Sequence, residues 1–108
     1  LKPPGFSGTV TFQNGSPAPD HETSVIAKKG TCVTPTVYVG TPSSGSYNIP
    51  YGSIDPCGDG TYTITAEYID RVNTIIYRGT ATGYFTHQSG GGIVNIVLTE
   101  IIYYRPGR

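Results

Sequence analysis

Strict alternation of apolar and polar residues over positions 61–68 is the feature that most constrains how this chain folds. One face of an extended backbone there would carry only apolar or aromatic side chains, and the other would carry three threonines and a glutamate. The first set is Tyr62, Ile64, Ala66 and Tyr68. A period of two, with β-branched and aromatic residues, is typical of a half-buried strand. We therefore predict a central strand over residues 61–69, entered from a turn rich in Gly, Pro and Asp.

Shorter alternating segments recur along the chain, with Gly, Pro, Asn and Ser between them. They predict strands over residues 7–12, 23–29, 46–49, 74–82, 84–87 and 93–98, with a bend at Gly83. A strand over residues 31–40 is interrupted by Pro35, which cannot donate to a ladder, so it should be an edge strand or a bulged one. Helical periodicity is not found. The pattern predicts an all-β fold, a Greek-key β-sandwich of seven to eight strands.

The length of 108 residues suits one domain with a single hydrophobic core. Pro3 and Pro4 predict a proline-rich arm over residues 1–6, because consecutive prolines favour an extended backbone. Residues 7–98 would form the sandwich. The strand pattern continues past Leu98, so we interpret residues 99–108 as a strand extension. Its apolar part, a candidate tail for strand addition, contains Ile101, Ile102, Tyr103 and Tyr104.

Low charge excludes several classes of function. Charged residues make up 13% of the chain and the formal net charge is zero. Non-specific nucleic-acid binding needs concentrated Lys and Arg, so nucleic acid is not an expected partner. Apolar runs fall well short of the roughly 20 residues of a membrane span, so membrane insertion is not expected. A nucleophile and base pair is not visible either, and we expect no enzyme, no catalytic residue, no cofactor and no metal.

Two cysteines, Cys32 and Cys57, lie far apart in the sequence. Their separation does not suit a redox pair, and zinc would need more ligands nearby. We predict a structural disulfide, which would stabilise the fold by about 3 kcal/mol and indicate an oxidising compartment. The alternative is two buried free thiols in a reducing cell. With Leu1 in place of an initiator methionine, the pattern favours an extracellular or cell-surface protein, either mature or cut from a longer chain.

Several residues are candidates for modification or calcium binding. Asn14 begins an N-glycosylation sequon, and hydroxyls near prolines could accept O-glycans. These hydroxyl residues are Thr34, Thr36, Thr41, Ser43 and Ser44. Asp55 and Asp59 could hold calcium with backbone carbonyls, but aspartates in turns usually cap their own backbone.

Tyrosines could provide a platform for sugars, since the ring stacks on a sugar and the hydroxyl bonds to it. The candidates are Tyr38, Tyr47, Tyr51, Tyr84, Tyr103 and Tyr104. At least half of them should instead pack in the core or between strands.

Four short motifs place glycine beside alternating residues. They are Gly8-x-Val10-x-Phe12-x-x-Gly15-x-Pro17, Ser44-Gly-Ser-Tyr-Asn-Ile49, Gly58-Asp-Gly-Thr-Tyr-Thr-Ile64 and Gly92-Ile-Val-Asn-Ile-Val-Leu98. Together they resemble the carboxypeptidase regulatory-like, or transthyretin-like (prealbumin-type), domains over residues 6–98. The resemblance implies a seven-stranded Greek-key sandwich, Ig-like or transthyretin-like, of a kind that serves as a structural, linking or adhesive unit outside cells.

Two relatives within this resemblance carry chemistry, and their patterns are not met. Collagen-adhesin B-type domains cross-link a lysine of the first strand to an asparagine or aspartate of the last. Asn95 is present, but Gln13 stands where the lysine would fall. Transthyretin-like hydrolases end in Tyr-Arg-Gly-Ser, whereas Tyr77-Arg-Gly-Thr80 is internal here. The histidines of this chain, His21 and His87, do not reproduce that active site.

We therefore expect an extracellular structural module, a subunit of a surface fibre or pilus-like assembly joined by strand addition. Both chain ends would overhang the sandwich, and the interrupted strand at Pro35 would be the receiving edge. The partners would be other copies of the chain or neighbouring domains of the same chain. The alternative is a carbohydrate-binding or adhesion module of a larger secreted protein, with a glycan as its partner.

Overall fold

Nine strands and two short helical segments form the fold within residues 3–40 and 43–101, the part of the chain that this computed structural model describes. The strands are β1 Phe6–Phe12, β2 Ser24–Lys29, β3 Cys32–Val33, β4 Val37–Tyr38, β5 Ser46–Ile49, β6 Gly60–Asp70, β7 Ile75–Phe85, β8 Gly92–Ile93 and β9 Ile96–Ile101. The predicted all-β sandwich class is confirmed. The strand count exceeds the predicted seven to eight because the predicted strands over residues 31–40 and 93–98 are each divided in two, as β3 with β4 and β8 with β9. The predicted strands over residues 74–82 and 84–87 are instead one strand, β7.

The sheet runs in the order β3-β2-β6-β7-β9-β1-β5, with β4 also beside β2 and β8 also beside β1. Pairs are antiparallel except for β1 with β8 and β1 with β9. Strand β9 changes partner along its length: residues 96–98 pair with β1, and residues 99–101 pair with β7. This change of partner lets the β1–β5 layer fold over the β2–β6–β7 layer.

The hydrophobic core lies between these two layers. Tyr62, Ile64 and Ala66 of β6 are fully buried, as their alternation predicts. Phe6 of β1 packs across the layers, with its ring centroid 5.6 Å from that of Tyr62 and 6.3 Å from that of Phe85. Such aromatic pairs add about 0.5–1.5 kcal/mol to the effect of burial alone.

Strand β7 brings two glycines to the core face where the other layer comes closest. A Cβ atom on Gly79 would collide with the Val97 carbonyl oxygen, and one on Gly83 would lie 2.7 Å from the Phe6 ring. Strand β7 is continuous through Phe85, so the predicted bend at Gly83 is wrong. Glycine occurs there because there is no space for a side chain, not because the chain turns.

The connection between β5 and β6 is helical, which the sequence did not indicate. A four-residue helix, α1 (Tyr51–Ile54), is followed by a 3-10 turn, Asp55–Cys57. Segments of this length are too short to show helical periodicity. Within the described residues no helix has the length and apolar character needed to cross a membrane.

Both ends of the described chain are attached to the sandwich. The Gly91 N–H donates to the Pro4 carbonyl oxygen at 3.0 Å. Ile101 pairs with Ile76 of β7, so the first residues of the predicted extension belong to β9. The other predicted arm and tail residues lie outside the described part, namely Leu1, Lys2 and residues 102–108 with Ile102, Tyr103 and Tyr104.

Candidate functional site

Strands β3 and β4 together form the outermost strand of the sheet, beside β2. Residues 34–36 interrupt them, and the exposed Pro35 lies in the interruption. The predicted interrupted edge strand is thereby confirmed. We name residues 32–38 the broken edge.

Thr34 keeps β2 paired across the interruption. Its N–H donates to the Ala27 carbonyl oxygen at 2.9 Å, and the Ala27 N–H donates to the Thr34 hydroxyl oxygen at 3.0 Å. The hydroxyl thus takes the place of the carbonyl that a regular strand would supply. Thr34 is 3% exposed. The prediction of an O-glycan on Thr34 is wrong, because its hydroxyl is buried and already bonded.

The main-chain groups of Val33 and Tyr38 point away from β2. The next residues, Thr34 and Val39, direct their N–H groups toward β2, at the carbonyls of Ala27 and Thr23. Because successive strand residues turn these groups to opposite sides, Val33 and Tyr38 face outward. Their side chains are 47% and 53% exposed. Among the described residues, the broken edge therefore has outward main-chain groups that no strand pairs, and it exposes two large apolar side chains.

Strand β5, at the other end of the sheet, offers fewer main-chain groups for pairing with an added strand. The Ser46 N–H donates to the Ser43 carbonyl at 2.9 Å, and the Ser46 carbonyl accepts from the Gly40 N–H at 2.7 Å. Within the described residues, alternation leaves Asn48 as the only residue of this strand facing outward with main-chain groups available. Pro50 then ends the strand.

A disulfide between Cys32 and Cys57 ties the broken edge to the 3-10 turn that precedes β6, with the two Cα atoms 5.7 Å apart. The predicted bridge is confirmed. It anchors the start of the broken edge covalently, while Thr34 anchors its middle.

The carboxylate of Asp59, a candidate calcium ligand, contacts His87 through both of its oxygens. One carboxylate oxygen accepts from the His87 main-chain N–H at 2.9 Å, and the other lies 3.3 Å from the imidazole Nδ1. The Tyr51 hydroxyl donates to the His87 carbonyl at 2.7 Å. Burial, with the nearby carboxylates of Asp55 and Asp59, raises the pKa of Tyr51. Among the described residues no group of three or more His, Cys, Asp or Glu is placed to hold a metal ion.

The other predicted modification sites are accessible where the structure describes them. Asn14 is exposed in the turn after β1, and its Oδ1 accepts from the Ser16 N–H at 2.9 Å. Thr36, Ser43 and Ser44 are exposed. Thr41 lies outside the described residues. Glycosylation at these positions stays a prediction.

Tyr47 cannot serve as a sugar platform, because it is fully buried in the core. Its hydroxyl donates to the Val94 carbonyl oxygen at 2.5 Å, and burial raises the pKa of this hydroxyl well above its ordinary value.

Tyr38 and Tyr84 are exposed but do not form one platform. Through their strand pairings they lie level with Glu67 and Thr61 on β6. At roughly 3.3 Å per residue these two positions are about 20 Å apart. A single sugar ring cannot contact both tyrosines.

Asn95, considered above as a cross-link partner, instead completes the pairing between strands, which the sequence did not suggest. It lies between β8 and β9, and its Oδ1 accepts from the Thr9 N–H at 3.0 Å and lies 3.3 Å from the Thr9 hydroxyl oxygen. The side chain fills the gap in the ladder between β1 and these two strands. A polar residue inside an apolar run was the only signal in the sequence.

Comparisons with family models, with curated proteins and with solved structures give no significant match to this chain. The resemblance to transthyretin-like domains therefore stays a prediction, and the functional argument depends on the geometry of the broken edge.

Proposed function

We propose that this protein is a structural module of an extracellular assembly, in which neighbouring copies join by strand addition at the broken edge. The observation that carries the proposal is the outward main chain of Val33 and Tyr38. A strand added beside them would gain hydrogen bonds and would cover both exposed side chains.

Pro35 makes this edge selective. It has no N–H and lies in the interruption, so an incoming strand would pair in two short segments, one near Val33 and one near Tyr38. Natural proteins use prolines and bulges in this way to prevent indiscriminate pairing of sheet edges. A donor must match the interruption, which favours one specific partner segment.

The proposed donor is the segment after β9, where Ile102, Tyr103 and Tyr104 continue the apolar sequence pattern. Strand β9 and the broken edge flank the β2–β6–β7 layer on opposite sides. Donor and acceptor would therefore use different surfaces of each copy. Contacts of this head-to-tail type repeat into a filament when they do not close into a ring. A neighbouring domain of the same chain could use the same edge in the same way.

The disulfide supports a location outside the cell or at its surface. Such bonds persist in oxidising compartments and are rare in the cytosol. The Cys32–Cys57 bridge also holds one end of the proposed acceptor.

A pair of substitutions at Tyr38 tests the proposal. Tyr38→Pro removes the outward N–H without removing a bond to β2, whereas Tyr38→Ala keeps the N–H and removes only the side chain. We expect the wild-type chain to form filaments in sedimentation velocity and electron microscopy, Tyr38→Ala to form fewer, and Tyr38→Pro to stay monomeric. A wild-type chain that stays monomeric at every concentration would contradict the proposal, as would a Tyr38→Pro variant that assembles normally.

A further inference from the structure

The end of β6 remote from the disulfide carries an aromatic cluster that strand addition does not use. The rings of Tyr68 and Tyr77 stack with centroids 6.0 Å apart, and Phe12 meets Tyr77 edge-on at 5.0 Å. All three side chains are half-buried, in contrast to Tyr62 and Phe85 in the core. The aromatic cluster therefore reaches the surface.

A hollow of about 430 Å³ opens beside this cluster. Its apolar wall is formed by Phe12, Tyr77 and Leu98, and its polar rim by Gln13, Asn14 and Glu100. We name it the aromatic hollow. Its volume lies within the range of roughly 300–1,000 Å³ that is usual for small-molecule sites.

The change of partner along β9 creates the hollow. Leu98 is level with Phe12, the last residue of β1, and after it β9 continues beside β7 alone. Glu100 lies directly opposite Tyr77. A carboxylate is thus placed next to an aromatic ring at the point where β1 no longer covers the sheet.

Hydrogen-bonding groups at the rim are available to a ligand. Among the described residues, the Gln13 amide, the Glu100 carboxylate and the Tyr77 hydroxyl form no side-chain hydrogen bond. The Asn14 amide oxygen is occupied, because it accepts from the Ser16 N–H and hydroxyl. An amide that both donates and accepts, a carboxylate that accepts, and a ring face lie around one small volume.

We propose that the aromatic hollow binds a pyranose ring of a neutral glycan. A pyranose has an apolar face of C–H groups, which packs on an aromatic ring, and hydroxyls around its edge, which need donors and acceptors. Tyr77 provides the ring, Gln13 provides a donor and an acceptor, and Glu100 can accept from two adjacent hydroxyls. An anionic ligand would be repelled by Glu100. A purely apolar ligand would desolvate Gln13 and Glu100 without replacing their bonds to water.

The aromatic hollow is separate from the acceptor edge of the strand-addition proposal, whereas its rim residue Glu100 lies two residues before the proposed donor segment. Strands β6 and β2 lie between β7 and the broken edge. Gln13→Ala changes neither the broken edge nor the donor segment, so either proposal can fail while the other stands.

A titration followed by NMR tests the site on the full chain. The probes are methyl glucoside, methyl mannoside and methyl N-acetylglucosaminide, each added up to millimolar concentrations. We expect at least one of them to shift the amide signals of residues 12–14 and 98–101. Gln13→Ala and Glu100→Gln should each weaken that binding about tenfold, because each removes hydrogen bonds to sugar hydroxyls. Both positions are exposed, so neither substitution should disturb folding.

Tyr84→Ala is the matched control, because Tyr84 is 63% exposed on the outer face of β7 and should leave binding unchanged. The proposal is overturned if none of the three glycosides shifts the signals of the hollow. It is also overturned if both rim variants bind the glycoside as tightly as the wild type, or if only Tyr84→Ala weakens binding.

Discussion

Ala27 and Thr34 exchange two hydrogen bonds across the break in the outer strand, and one of the two uses a side chain. The Thr34 N–H donates to the Ala27 carbonyl at 2.9 Å, and the Ala27 N–H donates to the Thr34 hydroxyl oxygen at 3.0 Å. Where β8 gives way to β9, Asn95 Oδ1 accepts from the Thr9 N–H in the same manner. At both interruptions a side-chain oxygen replaces a main-chain carbonyl as the acceptor. The Ala27 N–H is buried, where an unpaired N–H is costly.

Thr34→Val should lower the free energy of unfolding by about 1–3 kcal/mol, since it leaves the buried Ala27 N–H without an acceptor. Thr36→Val is the matched control, because Thr36 is exposed in the same interruption and makes no such bond to any described residue. Urea unfolding of both variants measures the difference. Equal effects at the two positions would show that the Thr34 hydroxyl does not support the ladder.

Reduction of the Cys32–Cys57 disulfide should lower the free energy of unfolding by about 3 kcal/mol, because the unfolded chain regains the entropy of the closed loop. Urea unfolding with and without reductant measures this loss. A Cys32→Ser/Cys57→Ser variant should match the reduced protein and be insensitive to reductant. An oxidised protein with the stability of this variant would contradict the expectation.

Gly79→Ala should destabilise the fold by about 1–3 kcal/mol, the usual cost of overpacking a core. The added methyl group would collide with the Val97 carbonyl oxygen. Gly52→Ala is the control, because nothing lies within 4 Å of the position that its Cβ would occupy in α1. Thermal unfolding should show a clear loss for the first variant and little change for the second. A neutral Gly79→Ala would contradict the close approach of the two layers at this position.

Much of the fold could be predicted from local patterns in the sequence. Alternation located β1, β2 and β6, and Pro35 marked the interrupted edge, because these signals depend only on the residues within each segment. The bend predicted at Gly83 is wrong, because position 83 needs glycine for another reason. Phe6 of the other layer comes too close there for a side chain. The seven helical residues before β6 were missed because periodicity needs a longer segment.

The two candidate sites differ in how far the sequence indicates them. The broken edge could be predicted, since proline lacks an N–H and interrupts strand pairing whatever the rest of the fold. The aromatic hollow could not, because it depends on the meeting of Phe12, Tyr77 and Glu100 from three different strands where β9 changes partner. Tyrosines selected by composition included Tyr47, which is in the core.

Tyr47→Phe should lower the free energy of unfolding by about 1–2 kcal/mol at neutral pH, because the Val94 carbonyl loses its donor. Burial raises the pKa of Tyr47 in the folded protein, so the folded state holds this proton more tightly than the unfolded state does. The stabilisation is complete below the ordinary tyrosine pKa of about 10 and is lost as the pH rises above it.

The stability difference between wild type and Tyr47→Phe should therefore shrink in alkali. Urea unfolding of both proteins at neutral pH and on either side of about pH 10 measures it. The other tyrosines are common to both proteins, so their contributions cancel. A difference that stays constant with pH would mean that the Tyr47 hydroxyl is not protected from ionisation.

Amide hydrogen exchange at Tyr38 and Val39 tests most directly whether the broken edge receives a strand. In the monomer the Tyr38 N–H points away from β2 and should exchange rapidly, whereas the Val39 N–H, bonded to the Thr23 carbonyl at 3.0 Å, should exchange slowly. In assembled material we predict that the Tyr38 amide becomes as protected as the Val39 amide. A Tyr38 amide that still exchanges rapidly after assembly would contradict strand addition at this edge.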